Sequence, residues 1–233
     1  MYKLIKRALD LIIASIVLLI LFPFFILLII TLRLTGEGEV FYLQDRVGYK
    51  NNIFKIWKFA TMLKESPNML TGSLTVRNDP RVTPIGKYLR ITKINELPQF
   101  INVLIGNMSI VGPRPQMKVD FDVYPEHVKK RIYDVKPGVT GIGSIIFRDE
   151  ERLTSESGMP VKEFYTKVIA PYKGELELWY HDHQSFYIDF ALIFLTVWVI
   201  FFPNSRLPFK LFKDLPKREI KMGDILCSPC QAK

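Results

Sequence analysis

The feature that most constrains this chain is the run from Leu11 to Ile30, interrupted only by Ala14, Ser15 and Pro23. Twenty helical residues at about 1.5 Å each reach roughly 30 Å, the thickness of a bilayer core. The segment is therefore expected to sit in a membrane. Thr31-Leu32-Arg33-Leu34 follows it, with no small-x-small cleavage site, so it does not read as a removable signal peptide. Lys3, Lys6 and Arg7 lie before the run, Asp10 at its mouth and Arg33 after it, so both ends read as cytoplasmic. Pro23 removes a backbone donor and clashes with the preceding turn, which predicts a kink. Two topologies are open: a bent segment that enters and leaves by one face, and a plain signal anchor that tolerates its proline.

A second apolar stretch, Phe190 to Phe202, is preceded by Asp189 and followed by Pro203. It is too short to span a bilayer. Trp179, Tyr180, Phe186, Tyr187 and Trp198 favour the headgroup zone, and Arg206, Lys210, Lys213, Lys217 and Arg218 follow. This predicts an interfacial helix and a basic membrane-facing tail. A buried core helix is the alternative.

With 48% apolar and 24% charged residues, the chain is neither disordered nor fibrous. Its 32 Lys and Arg against 23 Asp and Glu give +9, which calls for a negative partner: nucleic acid, anionic lipid or a phosphorylated substrate. The basic residues are not interleaved with a nucleic-acid-binding motif, so no nucleic acid is expected. The only cysteines, Cys227 and Cys230, provide no disulfide framework and too few ligands for structural zinc. His181 and His183, at i and i+2, face apart on a helix, and His127 reads as a surface residue.

Residues 35–185 read as a mixed α and β body. Glu39 to Gln44 and Ile53 to Phe59 carry strand residues around the turn chemistry of Gly48 to Asn52, a β-hairpin. Ile94, Leu97, Phe100, Ile101 and Leu104 form a helical stripe with Pro98 in its first turn, placing Asn95 and Glu96 at a helix start. Tyr124 to Val135 reads as another helix. Chemistry concentrates at Asn78-Asp79-Pro80-Arg81, Arg90, Asn95-Glu96-Leu97-Pro98-Gln99 and Gly112-Pro113-Arg114-Pro115. Arginine forks suit phosphate, and carboxylates among them can hold Mg²⁺ together with substrate phosphates. Glu96 and Asp79 are the metal candidates. Taken singly, these motifs also fit rigid or capped turns.

Their order is more specific. Lys6-Arg7 and Asp10 before a proline-broken apolar segment, Phe41 to Gln44 with Arg46 and Gly48, Lys58 to Met62, Asn78 to Arg81, Glu96 to Gln99 with Asn102-Val103, Met108 to Pro115 and Lys136 to Gly141 together resemble the bacterial sugar transferases, the monotopic phosphoglycosyl transferases. The resemblance runs from about Lys3 to Phe202.

It implies an α+β monotopic membrane protein: a re-entrant helix (1–34), a small hairpin-containing cytoplasmic catalytic domain (35–185), and an interfacial helix with a basic tail (186–233). Residues 142–178 would form sugar-facing loops. It implies transfer of a phosphosugar from a nucleotide diphosphate sugar, with uridine expected, to a polyprenol (undecaprenyl) phosphate at the cytoplasmic side of the bacterial inner membrane. Mg²⁺ would be the cofactor, membrane lipids and a homodimer are further partners it allows, and the product would prime exopolysaccharide, O-antigen or a related glycan. Such enzymes carry an Asp-Glu pair before Leu-Pro-Gln, nucleophile then metal ligand. Here the pair is Asn95-Glu96, and an amide is a poor nucleophile. Ala60 also stands where the family has arginine. The resemblance thus puts Asn95 and Glu96 at the catalytic position and supports Glu96, Arg90, Arg114 and Lys58 as metal or phosphate contacts better than it supports Asn95 as nucleophile; the residue chemistry above adds Arg81 to the phosphate set and Asp79 beside Glu96 as metal candidate. A catalytically impaired homologue that binds polyprenol phosphate or serves as a scaffold is the competing reading.

Overall fold

The computed structural model describes residues 1–66, 69, 74–75 and 78–217. Cys227, Cys230 and the end of the expected basic tail, Arg218 included, lie outside the described residues.

Helix α1 (Tyr2–Leu34) is helical through Pro23. Only Asp10, Ala14, Phe25, Leu28 and Leu32 are buried along it, at spacings that define a single face. The opposite face is apolar and bare: Leu19 is 76% exposed and Ile20 70%. In water each such side chain would forgo its burial energy, roughly 25 cal/mol per Å², so this face suits a hydrocarbon environment.

Strands β1 (Phe41–Val47) and β2 (Ile53–Phe59) form the expected hairpin, antiparallel, registered from Phe41↔Phe59 to Val47↔Ile53. Lys50 and Asn51 take positive φ in its turn. Helix α2 (Pro84–Ile91) is capped by Thr83, whose Oγ1 accepts the Gly86 N–H at 3.0 Å. The stripe expected from Ile94 to Leu104 is broken: a 3₁₀ turn (Ile94–Glu96) is followed by α3 (Gln99–Ile105), which starts after Pro98. Proline lacks the N–H that would continue the first turn into the second. Asn102 joins α3 to the edge of β2, its Oδ1 accepting the Trp57 N–H at 2.9 Å and its Nδ2 donating to the Lys55 carbonyl at 2.8 Å.

Strand β3 (Ser109–Val111) runs parallel to β4 (Gly138–Thr140), with α4 (Lys118–Phe121) and α5 (Glu126–Arg131) between them. Helix α5 is much shorter than the Tyr124 to Val135 expectation. A Cβ at Gly138 would lie 2.1 Å from the Gly112 nitrogen, so two glycine motifs exist to let these backbones touch.

Residues 142–178, expected as loops, are largely helical: α6 (Ile142–Ile146), α7 (Glu150–Glu156), α8 (Val161–Phe164), a π turn (Tyr165–Ile169) and most of α9 (Ala170–Asp182). Polar residues within their apolar pattern hid the 3.6-residue period. Helices α10 (Phe186–Phe201) and α11 (Leu207–Leu211) close the described chain. Helix α10 is buried along one side and bare along the other. Ile188, Leu192, Leu195 and Val199 are buried, while Phe190, Phe194, Val197 and Phe201 form an exposed apolar stripe. One core collects Ala14 of α1, Val103, Val128, Ile142, Ile169 and Leu176 of the body, and Leu192 and Leu195 of α10.

Both ends of α1 rest on this body. Near its start, Lys6 bonds Asp189 at 2.7 Å, Arg7 donates to the Val103 carbonyl at 2.7 Å, and Asp10 accepts the Ile110 N–H at 3.1 Å. Near its end, Phe25, Leu28 and Leu32 pack with Phe59 and Leu89, and the Phe25 and Phe59 rings meet edge to face at 5.2 Å.

Candidate active site

The site is assembled from three local structures. Strand β2 carries Lys58 next to its last residue, the Asn102 bonds draw the 3₁₀ turn bearing Asn95 and Glu96 toward that strand, and the Gly112 to Pro115 turn after β3 delivers Arg114. Arg114 grips Glu96 with both arms of its fork, Nη2 to Oε1 at 2.5 Å and Nη1 to Oε2 at 3.2 Å. The pair is only partly buried, with side-chain exposures of 29% and 16%. Arg46 braces the same turn by donating to the Pro115 carbonyl at 3.2 Å. Arg90 enters from α2 and is paired with Glu151 of α7 at 2.5 Å. All of these line an open cleft of about 2110 Å³.

Cations outnumber anions here. Burial would raise the Glu96 carboxyl, but Arg114, Lys58 and Lys93 outweigh it and hold the group well below the usual carboxylate range. The charge of Glu96 in turn keeps Arg114 firmly protonated. Burial, reinforced by the charge of Arg46, pushes the Lys58 ammonium well below its ordinary value. Burial lowers Lys93 as well. A multiply charged anion entering the cleft would relieve this crowding.

Two expected members are elsewhere engaged. Arg81 is 1% exposed, and all five of its N–H groups are taken: Nε and Nη2 by Asp79, Nη1 by the Ser66 and Met69 carbonyls, Nη2 also by the Leu74 carbonyl. Asp79 accepts the Arg81 backbone N–H at 3.0 Å and the fork at 2.6–2.9 Å. The expectation of Arg81 on phosphate and Asp79 on metal is therefore corrected to a buried pair whose guanidinium also bonds the Ser66, Met69 and Leu74 carbonyls.

Asn95 is 6% exposed, and its Oδ1 is buried without a hydrogen-bond partner. With Glu96 it offers two hard oxygens at the cleft. Among the described residues no group of three or more His, Cys, Asp and Glu converges, which excludes an all-protein cage but fits Mg²⁺, a cation that keeps water and substrate phosphates as ligands. As expected, His127 lies at the surface, paired with Glu175. His183 stacks on Trp179, with ring centroids 4.9 Å apart, rather than joining His181.

Sequence reasoning missed Arg46 and Lys93 as members of the cation group, and Glu177 behind Arg114. Lys93 sits at φ 60, a conformation no residue pattern announced. Glu177 comes from α9, in the region that carried no motif.

The family model for the bacterial sugar transferases matches residues 1–203. The chain is 36% identical over 198 residues to the UDP-glucose:undecaprenyl-phosphate glucose-1-phosphate transferase of Escherichia coli K12, covering 84% of this chain and 40% of that protein. It is 34% identical to the undecaprenyl-phosphate glucose phosphotransferase of Komagataeibacter xylinus, covering 82% and 35%. With the exopolysaccharide production protein PSS of Rhizobium leguminosarum bv. phaseoli it shares 33% identity, covering 82% and 92%. The chain thus spans 40% and 35% of the length of the first two relatives and nearly all of the third. A family match along residues 1–203, nearly the whole chain, places this protein in the bacterial sugar transferase family.

Proposed function

We propose that this chain transfers a phosphosugar from a UDP-sugar to undecaprenyl phosphate at the cytoplasmic face of the bacterial inner membrane, priming exopolysaccharide, O-antigen or a related glycan. The observation that carries the reading is the partly exposed Glu96–Arg114 clamp among Lys58, Lys93, Arg46 and Arg90, in a body joined to a bare apolar helix. Both substrates are phosphate anions and one is a lipid. The name of the Escherichia coli relative gives both substrate classes, and that of the Komagataeibacter xylinus relative gives undecaprenyl phosphate.

Arg114, Lys58 and Arg90 bind the phosphate oxygens, and Arg90 exchanges Glu151 for substrate. Glu96, with the Asn95 Oδ1, would hold Mg²⁺. That ion would neutralise charge developing on the diphosphate. Because the Asn95 amide cannot act as a carboxylate nucleophile, an oxygen of the acceptor phosphate attacks the sugar-bearing phosphorus directly, and UMP departs with the electron pair of the broken P–O bond. Catalysis of this kind rests on positioning and charge stabilisation. Glu96 is then essential.

The test is Mg²⁺-dependent UMP release from a panel of UDP-sugars with undecaprenyl phosphate. Glu96→Gln should abolish it, and radiolabelled donor with enzyme alone should leave no covalent adduct. The amide at Asn95 favours one alternative, a lipid-phosphate-binding homologue without turnover. Undecaprenyl phosphate binding with no UMP from any donor would establish that alternative.

The topology is re-entrant in this reading. Support comes from α1 resting on one body through Arg7 and Asp10 at one end and Phe25 and Leu32 at the other. The exposed stripe of α10 and the basic residues Lys210, Lys213 and Lys217 then face the bilayer surface. Cysteines placed at Met1 and Gly36 should label from the same side, and opposite-side labelling would make α1 a spanning anchor.

A further inference from the structure

Glu177 of α9 is fully buried, and its Oε1 accepts the Arg114 backbone N–H at 3.2 Å. The carbonyl of Arg114 is held from the other side, where the Tyr133 hydroxyl donates to it at 2.9 Å and accepts the Gln116 N–H at 2.9 Å. The peptide units flanking Arg114 are thus clamped by two side chains from distant parts of the chain.

The room for the Glu177 carboxyl is made by glycine. A Cβ at Gly143 would lie 2.3 Å from Oε1, and one at Gly141 would meet Oε2 at 3.6 Å. Its Oε2 is buried without a hydrogen-bond partner. The nearest cation on its own helix, Lys173 one turn earlier, is bonded to Glu150 at 2.6 Å. A carboxyl buried with half its bonding capacity unmet costs stability. Its one polar contact leads to the arginine of the site.

We propose that Glu177 is a positioning residue of the transfer site: by gripping the Arg114 N–H it fixes the turn from which the guanidinium reaches Glu96 and the substrate phosphate. The inference rests on the transferase reading above. It also gives the site a pH response. Burial raises the Glu177 carboxyl to about 7, against the Arg114 N–H and the charges of Lys173 and Arg114. The other titratable groups facing it are Tyr124 and Tyr133 on either side of α5, with Glu150 of α7 beyond Lys173. An ionised carboxylate accepts more strongly than a neutral carboxyl, so the grip tightens as pH rises through 7. The sign for stability is opposite. The folded value lies above the ordinary carboxylate range, so the fold favours the neutral form, and stability falls as pH rises toward and through 7.

The experiment compares full-length wild type with Glu177→Gln and Glu177→Leu. Glutamine keeps an oxygen for the Arg114 N–H but cannot ionise. Wild-type kcat should rise severalfold through pH 7. Glu177→Gln should stay at the wild-type acid-limb value, with donor KM within about twofold and a Tm that no longer falls between pH 6 and 8. Glu177→Leu should lose about 10- to 100-fold in kcat, the range for removing a supporting contact, and amide exchange at Arg114 should quicken. An unchanged pH profile in Glu177→Gln overturns the proposal, as does wild-type kcat in Glu177→Leu. If Glu177→Leu does not fold, the glutamine profile decides. Should wild type release no UMP from any donor, the transferase reading fails on its own, and Arg114 amide exchange in Glu177→Gln and Glu177→Leu still judges the grip: exchange unaltered in both overturns it.

Discussion

Two arginine–carboxylate pairs in this molecule use the same functional groups for different ends. Asp79 and Arg81 are two residues apart, 5% and 1% exposed, with every guanidinium N–H engaged inside the protein. Glu96 and Arg114 are 18 residues apart, open to a cleft, and surrounded by Lys58, Lys93 and Arg46. A saturated pair resists exchange, because any incoming ligand must first break bonds that have no water to replace them. The open pair sits in a positive field, and an anionic ligand there gains more than it displaces. Motif composition cannot distinguish the two. What distinguishes them is the count of remaining donors and the sign of the surrounding charge.

The comparison can be broken at several points. The largest effect is expected for Arg81→Ala, which leaves Asp79 charged and unpaired in the interior, at a cost of about 3–5 kcal/mol. Denaturant unfolding in detergent should show this loss. A folded but inactive Arg81→Ala protein would instead move the pair into the site. Next comes Arg114→Ala, expected to lower kcat about a hundredfold or more, as for loss of a donor to transition-state charge, while the Tm changes little. Lysine at this position should recover only part of the rate, since a point charge cannot replace the fork. Near wild-type turnover in Arg114→Ala would make both pairs structural. The smallest effect is expected for Lys55→Ala at the exposed Lys55–Asp45 pair, where both side chains are 64% exposed. Within about 1 kcal/mol of wild type is the expected stability, and a larger loss would show that exposure is a poor guide to which pairs matter.

The legible parts of the fold were those with local causes. The apolar run gave α1, alternation with Gly48 to Asn52 gave the hairpin, and Pro98 marked the start of α3, although it also split a stripe read as continuous. In the site, Glu96, Arg114, Lys58 and Arg90 were legible as residue types suited to phosphate, and the fold gathers them. Asp79 and Arg81 misled because Asn-Asp-Pro-Arg reads the same whether its arginine faces substrate or its own carboxylate. Arg46 and Lys93 belong to the site through tertiary placement. Glu177 was out of reach for a further reason: its role comes from a backbone contact across 63 residues, made possible by a glycine on a third segment.

The junction between α1 and α10 also sets a timetable. Tyr2 and Lys6 bond Asp189 across 187 and 183 residues of chain, and Ala14 sits in the same core as Leu192 and Leu195. Helix α1 therefore waits for the synthesis of α10 before the polar groups near its start are all satisfied. At about 5–20 residues per second, that wait is on the order of ten seconds or more. During it, the face of α1 that the core will cover stays open, and the body lacks two of its walls. A nascent chain that stalls before Asp189 is therefore left with an open interior, a natural substrate for quality-control proteolysis.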